Sequence, residues 1–284
     1  MKNILVTGGK GQLASCIKYL AKKIDGFSFI FVDSDELDIT NNGEVINFFE
    51  SKQIDYCINC AAYTNVDKAE SNKELAVSVN EEGVRYLAES CKKYNAIFIQ
   101  ISTDFVFDGN KSTSYKETDI TNPLSIYGLT KLNGEIAAIS TLEKHVIYRT
   151  SWLYSEYGNN FMKTMLTLGQ ERDFLNIVSD QIGTPTYAKD LAKIILQFIL
   201  GNNDKFGTYH YSNEGVASWY DFAKAIFDET STKIKITPIK SEDYLTPAKR
   251  PKFSVLDKTK IKNTFELEIP HWRDSLKEAI CNLE

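Results

Sequence analysis

A tyrosine and a lysine four residues apart form the chemically most informative pair in this sequence. In Tyr127-Gly-Leu-Thr-Lys131, a helix would place both side chains on one face. The ammonium of Lys131 would then lower the pKa of the Tyr127 phenol and also reach the ribose of a nicotinamide cofactor. With its pKa lowered, the phenol would act as an acid or a base near neutral pH. The pair is therefore predicted to be part of a proton-transfer site.

The context of this pair distinguishes it from two others with the same spacing. Tyr19 and Lys23 lie at the far end of the first predicted helix, and Tyr220 and Lys224 lie in the second half of the chain. Only the pair at 127 and 131 follows a buried strand that ends in hydroxyl residues, Ser102-Thr-Asp104. Ligands of open α/β sheets bind at the carboxyl ends of the strands. The predicted catalytic residues are Thr103, Tyr127 and Lys131.

A glycine-rich turn after the first predicted strand indicates a dinucleotide site. The turn opens a helix and has the spacing Gly8-x-x-Gly11-x-x-Ala14. Gly8 permits the tight turn, Gly11 lets the backbone approach a pyrophosphate, and the helix N-terminus offers N–H groups to the anion. NADH or NADPH is therefore the predicted cofactor.

An aspartate after the second predicted strand bears on the choice between these two cofactors. Asp33 lies 22 residues beyond Gly11, where a carboxylate would meet the adenosine ribose and repel a 2′-phosphate. Lys10, in the glycine turn, would offset that repulsion, and Asp33 would also suit the surface as an ordinary solvated loop acid. The residues favour NADH slightly over NADPH.

Alternating strand and helix patterns fill the first half of the chain. Amphipathic stretches at 11–23, 43–52, 72–93 and 124–142 separate short apolar runs at 3–7, 27–33, 55–60, 96–102 and 145–150. This alternation is typical of parallel strands joined by right-handed helical crossovers. The predicted fold class is α/β, a doubly wound Rossmann-type parallel sheet with a smaller C-terminal α/β substrate lobe.

The alternation becomes less regular after residue 150. The later patterns predict strands at 174–178 and 233–239 and helices at 161–172, 188–199, 217–229 and 272–282. We therefore expect a dinucleotide-binding domain at 1–150, to which 172–212 returns. The substrate-binding lobe is expected at 151–171 and 213–284.

Charge and composition exclude several classes of partner. The 33 Lys and Arg are outnumbered by 38 Asp and Glu, and scattered basic residues do not suit binding to nucleic acid or anionic lipid. No stretch approaches the roughly 18 apolar residues of a membrane span, and the N-terminal apolar run is too short for a signal peptide. The five cysteines suit reduced, buried thiols, because Cys57-x-x-Cys60 lies in a predicted strand that points its ends to opposite faces. We expect a cytoplasmic protein with a small-molecule substrate.

These motifs together resemble those of the extended short-chain dehydrogenase/reductases, and within them those of the reductases of dTDP-linked 4-keto-6-deoxy sugars. Recognisable segments cover almost the whole chain. Besides the glycine turn they are Leu37–Thr40, Asn59–Glu70, Ser102–Phe107, Tyr127–Leu132, Arg149–Tyr154, Gly158–Phe161, Asp180–Thr186 and Thr246–Pro251. The last four are more specific than the shared cofactor motif.

The resemblance implies roles for individual residues and makes Thr103, Tyr127 and Lys131 a catalytic triad. Beside Asp33, Tyr127 and Lys131, the residues expected to contact the dinucleotide are Gly8, Gly11, Gln12, Leu13, Asp38, Ile39, Ala61, Ala62 and Tyr63. Those expected to contact a nucleotide sugar are Thr64, Val66, Asp104, Trp152, Asn160 and Arg250. From the residues alone, Trp152 would also suit packing between lobes, Asn160 a helix cap and Arg250 an ordinary surface position.

Two positions depart from the pattern of the family. Phe105 stands where the family often has tyrosine, so any substrate hydrogen bond from that phenol is lost. Some members bind magnesium through glutamates at a dimer interface, but the corresponding positions here are Cys16 and Lys189. No metal is therefore predicted, and a homodimer is left open.

The implied reaction is the NAD(P)H-dependent reduction of the C4 ketone of a nucleotide-linked 6-deoxy-4-ketohexose. The favoured substrate is dTDP-4-dehydro-L-rhamnose, and the product, dTDP-L-rhamnose, would supply cell-surface polysaccharide. Two alternatives stay open. One is a related epimerase or dehydratase, although dehydratases carry a glutamate where Phe105 stands. The other is a non-catalytic regulatory subunit like that of methionine adenosyltransferase, which would not need the intact catalytic triad.

Overall fold

A six-stranded parallel sheet forms the centre of the protein, whose structure is a computed structural model that describes residues 1–283. The strands of the whole described chain, in this sheet and outside it, are β1 (Lys2–Thr7), β2 (Phe27–Phe31), β3 (Tyr56–Asn59), β4 (Ile97–Thr103), β5 (His145–Thr150), β6 (Leu153–Tyr154), β7 (Phe174–Val178), β8 (Ile182–Gly183), β9 (Thr186–Tyr187), β10 (Gly207–His210), β11 (Ala217–Ser218) and β12 (Lys235–Ile239). The central sheet has the order β2-β1-β3-β4-β5-β10.

The helices of the protein cover both faces of this sheet or belong to a smaller lobe. They are α1 (Gln12–Ala21), α2 (Asn42–Lys52), α3 (Val66–Ser71), α4 (Lys73–Val77), α5 (Gly83–Lys93), α6 (Ile126–Thr141), α7 (Phe161–Glu171), α8 (Ala188–Leu200), α9 (Trp219–Glu229), α10 (Thr259–Phe265) and α11 (Trp272–Cys281). Within residues 1–283, none of these helices has the length and apolar character that crossing a membrane requires.

Two hydrophobic clusters, one on each face, explain why the strands are apolar along their whole length. Because successive strand residues point to opposite faces, Ile4 and Val6 of β1 pack with α1 and α8, while Leu5 packs with α2 and α5. All three residues are fully buried. The doubly wound α/β fold predicted from the sequence is thereby confirmed.

A smaller lobe packs around a third cluster. Its helices α7, α9 and α11 surround residues such as Met162, Phe222 and Trp272, and its two-stranded sheet pairs β7 with β12. The segment 172–212, expected with the dinucleotide-binding domain, divides in the structure. Its first strand, β7, lies in the small lobe because Leu175 and Ile177 bury their side chains there, whereas α8 and β10 lie on the central sheet. The remaining domain boundaries stay predictions.

The helix predicted over 72–93 is interrupted. A π-helical turn at Ser78–Glu82 separates α4 from α5 and places the backbone of Asn80 against α6. Gly134 of α6 allows this approach, because a Cβ at that position would collide with the Asn80 carbonyl oxygen. A wide turn inside a helix is a known way to re-aim a side chain near a functional site.

Candidate active site

A cavity of about 850 Å³ lies at the carboxyl ends of the central strands, between the sheet and the small lobe. It brings together nearly all the residues that the sequence predicted. Those on its wall are Thr103, Tyr127 and Lys131, then Gly8, Gly11, Gln12, Leu13, Asp33, Asp38, Ile39, Ala61 and Ala62, and finally Thr64, Val66, Asp104, Trp152 and Arg250. Tyr63 and Asn160 do not line it.

The glycine turn has the backbone geometry that a pyrophosphate requires. Gly8 has a φ of +62°, and a Cβ there would lie 2.8 Å from the backbone nitrogen of Ala61. The next helix, α1, begins without a side-chain cap and without an acidic residue in its first turn. Its first N–H groups are therefore available to an anion, and the residues present fit a dinucleotide.

At the adenosine end of the cavity, carboxylates outnumber the single lysine. Asp33 accepts hydrogen bonds from the backbone N–H groups of Lys10, at 3.0 Å, and Ser34, at 2.8 Å. The Lys10 ammonium pairs with Asp35 at 2.9 Å rather than with Asp33. This pairing raises the pKa of Lys10 and lowers that of Asp35. The arrangement agrees with a slight preference for NADH, which stays a prediction.

The strand and the helix that carry the predicted catalytic residues meet at the cavity. Thr103 is the last residue of β4, and its hydroxyl donates to Asp104 Oδ1 at 3.0 Å. Tyr127 and Lys131 lie one turn apart on α6, whose N-terminus is capped by the Ser125 side chain accepting from a backbone N–H. The Lys131 ammonium donates to the backbone carbonyl of Ile101 at 2.6 Å.

The ionisation of Tyr127 differs from the sequence-based expectation. Burial raises the pKa of the Tyr127 phenol to about 12; the Thr103 hydroxyl lowers it in part, and Asp104 raises it further. Lys131 does not lower it, because its ammonium is directed to the Ile101 carbonyl. Burial also lowers the pKa of Lys131 to about 8, with Glu135 and Cys60 acting in the opposite direction. In the ligand-free protein Tyr127 is therefore a protonated phenol at neutral pH, which suits a proton donor.

Asp104, next to the catalytic threonine, is almost fully buried. Burial raises the pKa of its carboxyl to about 6, although hydroxyl groups of Ser254 and Thr103 partly offset this.

Thr150, at the end of β5, is a cavity residue that sequence reasoning missed. Its buried hydroxyl has no hydrogen-bond partner in the part of the chain that the structure describes.

Two stacked tryptophans form the wall of the cavity on the side of the small lobe. Trp152 lies over Trp219 with ring centroids 3.6 Å apart and planes 8° from parallel. Trp152 has a φ of +47°, an unusual value for a bulky residue, and Gly183 leaves room for its ring. Both predicted roles of Trp152 thus coincide: it packs against the small lobe and it faces the cavity. Trp219 carried no signal in the sequence.

Arg250 is held by a carboxylate that is remote in sequence. Its guanidinium donates to both oxygens of Asp67, at 3.1 and 2.7 Å, and to the Thr246 hydroxyl at 2.6 Å. Arg250 also donates to the Ala248 carbonyl, so the loop before Pro251 is fixed around it. A bidentate pair of this kind fixes the plane of the guanidinium. The cation therefore lies on the cavity wall in a defined orientation.

Asn160 is not on the cavity wall, although its amide reaches the wall residue Gln12 at 3.4 Å. Its Oδ1 caps α7 by accepting from the Lys163 N–H, and its Nδ2 donates to the carbonyl of Ser155. These bonds occupy the amide, so the helix-cap alternative describes its position. Tyr63 lies behind the wall and is held through its backbone N–H by Asn80.

Neither position that replaces a metal ligand of the family lies in a cluster of ligands. Cys16 is buried in the core, and Lys189 pairs with Glu278 at 2.8 Å. No group of three or more His, Cys, Asp or Glu within residues 1–283 has the geometry to hold a metal ion. The absence of a metal stays a prediction.

Comparison with known proteins places this chain in one family. The sequence profile of the family described as RmlD substrate binding domain matches residues 1–284. A dTDP-4-dehydrorhamnose reductase of Aggregatibacter actinomycetemcomitans is 45% identical over 98% of both chains.

Two solved structures of dTDP-4-dehydrorhamnose reductases are similar along the whole chain. The protein from Clostridium acetobutylicum is 44% identical, covers 99% of both chains and has a TM-score of 0.96. The protein from Bacillus anthracis, solved in complex with NADP, is 37% identical over 99% of this chain and all of that one, with a TM-score of 0.95. The resemblance found in the sequence is thus confirmed, and this chain belongs to the RmlD substrate binding domain family as a homologue of the dTDP-4-dehydrorhamnose reductases.

Proposed function

We propose that this protein reduces the C4 ketone of a nucleotide-linked 6-deoxy-4-ketohexose with NAD(P)H. The main observation in support is that Thr103, Tyr127 and Lys131 share one cavity with the glycine turn. Tyr127 is a protonated phenol in this cavity. The favoured substrate is dTDP-4-dehydro-L-rhamnose, which would give dTDP-L-rhamnose for cell-surface polysaccharide. The homologues named dTDP-4-dehydrorhamnose reductase support the proposal, and the structure of one of them was solved in complex with NADP.

The dinucleotide would lie along the cavity wall formed by the glycine turn, the start of α1 and the residues that follow β2 and β3. When bound, NAD(P)H supplies the hydride that the ketone carbon accepts. Lys131 would hold the ribose next to the reacting end of the cofactor. Asp33 and Asp38, on the same wall, would face the adenosine end.

The chemical step needs a proton donor and a group that stabilises the oxygen of the ketone as negative charge develops on it. Tyr127 would donate its proton to that oxygen, and Thr103 would hydrogen-bond it. Because burial raises the pKa of Tyr127, the phenol carries its proton at neutral pH before the substrate binds.

The side of the cavity nearest the small lobe would bind the nucleotide sugar. Arg250 offers a cation suited to the diphosphate, and the face of Trp152 offers an apolar surface to the sugar or the base. Thr64, Val66 and Asp104 complete this part of the wall. Since NAD(P)H and nucleotide sugars are cytoplasmic metabolites, we place the reaction in the cytoplasm; a homodimer stays a prediction.

Phe105 argues against the alternative of a dehydratase. Its ring packs edge-on against Tyr127, with centroids 5.6 Å apart, at the position where an elimination would need an acidic residue. Against a purely regulatory role, Tyr127 and Thr103 both face the cavity instead of being buried in a collapsed site. Neither alternative accounts for the arrangement as simply as ketone reduction.

The test is a panel of 4-keto nucleotide sugars assayed with NADH and NADPH at equal concentration, followed through the absorbance of the reduced nicotinamide. We expect cofactor consumption with the dTDP-linked 4-keto-6-deoxy sugar and much slower consumption with UDP- or GDP-linked analogues. If no sugar leads to oxidation of either cofactor, the regulatory alternative replaces this proposal.

A further inference from the structure

Glu135 is a buried carboxylate one helical turn beyond Lys131 on α6. It is 1% exposed and does not line the cavity. Arg149 donates to it from Nε, at 3.0 and 3.1 Å to the two oxygens, and from Nη2 at 2.7 Å. The Ser102 hydroxyl donates to Oε1. Both carboxylate oxygens are therefore occupied, as a buried charge requires.

These contacts join the catalytic helix to the catalytic strand. Ser102 precedes Thr103 on β4 and lies directly opposite Arg149 of β5 in the register of the sheet. Glu135 bonds both of these residues, while Lys131, one turn earlier, bonds the Ile101 carbonyl. The helix with Tyr127 and Lys131 is thus attached at two points to the strand that ends in Thr103. Such attachments fix distances within a site more tightly than packing alone.

Positive charges outnumber negative charges around Glu135. Two buried cations lie near this one carboxylate: Arg149 pairs with it, and Lys131 lies one turn away on α6. His210, on the next strand, carries no charge: its Nδ1 faces the Tyr115 carbonyl at 3.0 Å and must donate, so its Nε2 accepts from Arg149 at 3.4 Å.

The other side chains near Lys131 and Arg149 do not supply a second negative charge. Burial and Arg149 lower the pKa of His210 to about 3, so it stays neutral. Cys60, on the other side of Lys131, is a thiol whose pKa burial raises, and Tyr127 is a protonated phenol. Among these neighbours, Glu135 is the one that carries a full negative charge.

We propose that Glu135 is a positioning residue of the active site: it fixes α6 against the end of β4 through Ser102, and it places a negative charge one helical turn from Lys131. The inference extends the proposed function, on which the role of Lys131 in binding the cofactor ribose depends. Arg149 holds the carboxylate of Glu135 in place, and His210 accepts a hydrogen bond from Arg149 without adding a second anion.

The test measures the protonation of Lys131 directly, without sugar or cofactor. Acetic anhydride modifies only unprotonated amines, so the rate of Lys131 acetylation at each pH, read by peptide mass spectrometry, gives its titration midpoint. Exposed lysines of the same chain serve as an internal reference. Glu135→Gln removes the charge but keeps the shape, and it should shift the Lys131 midpoint about one pH unit lower. In kcat/KM for the ketone, the alkaline fall should shift by the same amount.

Three further variants separate charge from structure. Glu135→Asp keeps the charge, so the midpoint should stay while kcat falls because the Ser102 contact is lost. Asp190→Asn removes another buried carboxylate, which bonds Asn213 and Ser275 away from the cavity, and should lower thermal stability without moving the midpoint. If Glu135→Gln does not fold, its combination with Arg149→Met removes the carboxylate together with the cation that pairs with it, and the Lys131 midpoint is then compared with that of Arg149→Met alone.

Each outcome decides the matter. A lower midpoint in a folded charge-removing variant supports the proposal, whether or not the wild-type protein reduces the sugar. An unchanged midpoint in such a variant overturns it, as does the failure of both charge-removing variants to fold, because the pair would then be purely structural. Absence of wild-type turnover with every ketone would contradict the proposed function alone.

Discussion

The two ends of the cavity hold their charges in opposite ways. At the catalytic end, Lys131 and Asp104 are 3% and 1% exposed, and burial is the largest cause of the pKa shifts of Lys131, Asp104 and Tyr127. At the adenosine end, the side chains of Lys10 and Asp35 are 71% and 66% exposed and act mainly on each other.

This difference predicts where substitutions matter. Electrostatic interactions weaken steeply as water and salt gain access, and an exposed ion pair contributes little. A change of charge or proton at the buried end should therefore alter the chemical step strongly. The same kind of change at the exposed end should only adjust cofactor preference.

The largest expected effect comes from Tyr127→Phe. This substitution removes one hydroxyl and leaves the ring packing against Phe105 intact, so folding and dinucleotide binding should survive. Loss of general acid catalysis should lower kcat by about 10²–10⁴-fold, with little change in cofactor affinity. Steady-state kinetics and a cofactor-binding titration measure the two quantities.

The chain supplies matched controls for this variant. Tyr19→Phe and Tyr220→Phe alter the same residue type in the same local spacing outside the cavity, and should leave kcat within a few fold. If Tyr127→Phe retains more than about a tenth of the wild-type rate, the proton comes from another group and the catalytic triad is wrongly assigned.

Removing the oriented cation at the small lobe should have the next largest effect. Arg250→Met would delete the proposed charge-assisted contact to the diphosphate and should raise the KM for the nucleotide sugar about 10–100-fold, while the KM for the cofactor stays constant. Arg85→Met, which breaks an exposed pair with Glu89 on α5, is the control and should change neither. An equal rise in both KM values after Arg250→Met would point to a general loosening of the cavity.

The rate should also depend on pH through Lys131. Its pKa is lowered to about 8, so the ammonium is lost as the pH rises through that value, and kcat/KM should then fall by about tenfold per pH unit. Lys131→Arg keeps a charge at every accessible pH and should abolish this alkaline fall, although geometry lowers the rate. Persistence of the fall in that variant would assign it to a different group.

The smallest effect is expected at the exposed end. Asp33→Ala removes a carboxylate that would repel a 2′-phosphate, so the ratio of kcat/KM with NADPH to that with NADH should rise about 2–10-fold. Asp25→Ala, at an exposed turn outside the cavity, should leave the ratio unchanged. If Asp33→Ala also leaves it unchanged, the preference depends on another residue of this end, such as Asp35.

The parts that sequence reasoning predicted are those set by local patterns. Short, continuously apolar strands that alternate with amphipathic helices predicted the sheet, and the glycine turn predicted the dinucleotide site, because β1 and α1 are adjacent in the chain. The residues it missed meet across long separations. Asp67 binds Arg250 from 183 positions away, and no local pattern marks either as a partner.

The ionisation of Tyr127 was missed for a related reason. Spacing on a helix predicted that Lys131 would lower the phenol pKa, yet the direction of the lysine is decided by the Ile101 carbonyl on another element. Desolvation by the surrounding protein then dominates the pKa. The desolvation of a phenol and the direction of a lysine side chain depend on the assembled cavity, so they cannot be derived from a four-residue spacing.

The most direct test of ketone reduction is to follow the hydride itself. The wild-type protein is incubated with a 4-keto-6-deoxy dTDP-sugar and NAD(P)H that carries deuterium at the transferable C4 position of the nicotinamide, and the sugar is analysed by mass spectrometry and NMR. The account predicts one deuterium at sugar C4 for each cofactor oxidised. A converted sugar without deuterium and without net cofactor oxidation would identify an epimerase or dehydratase and contradict it.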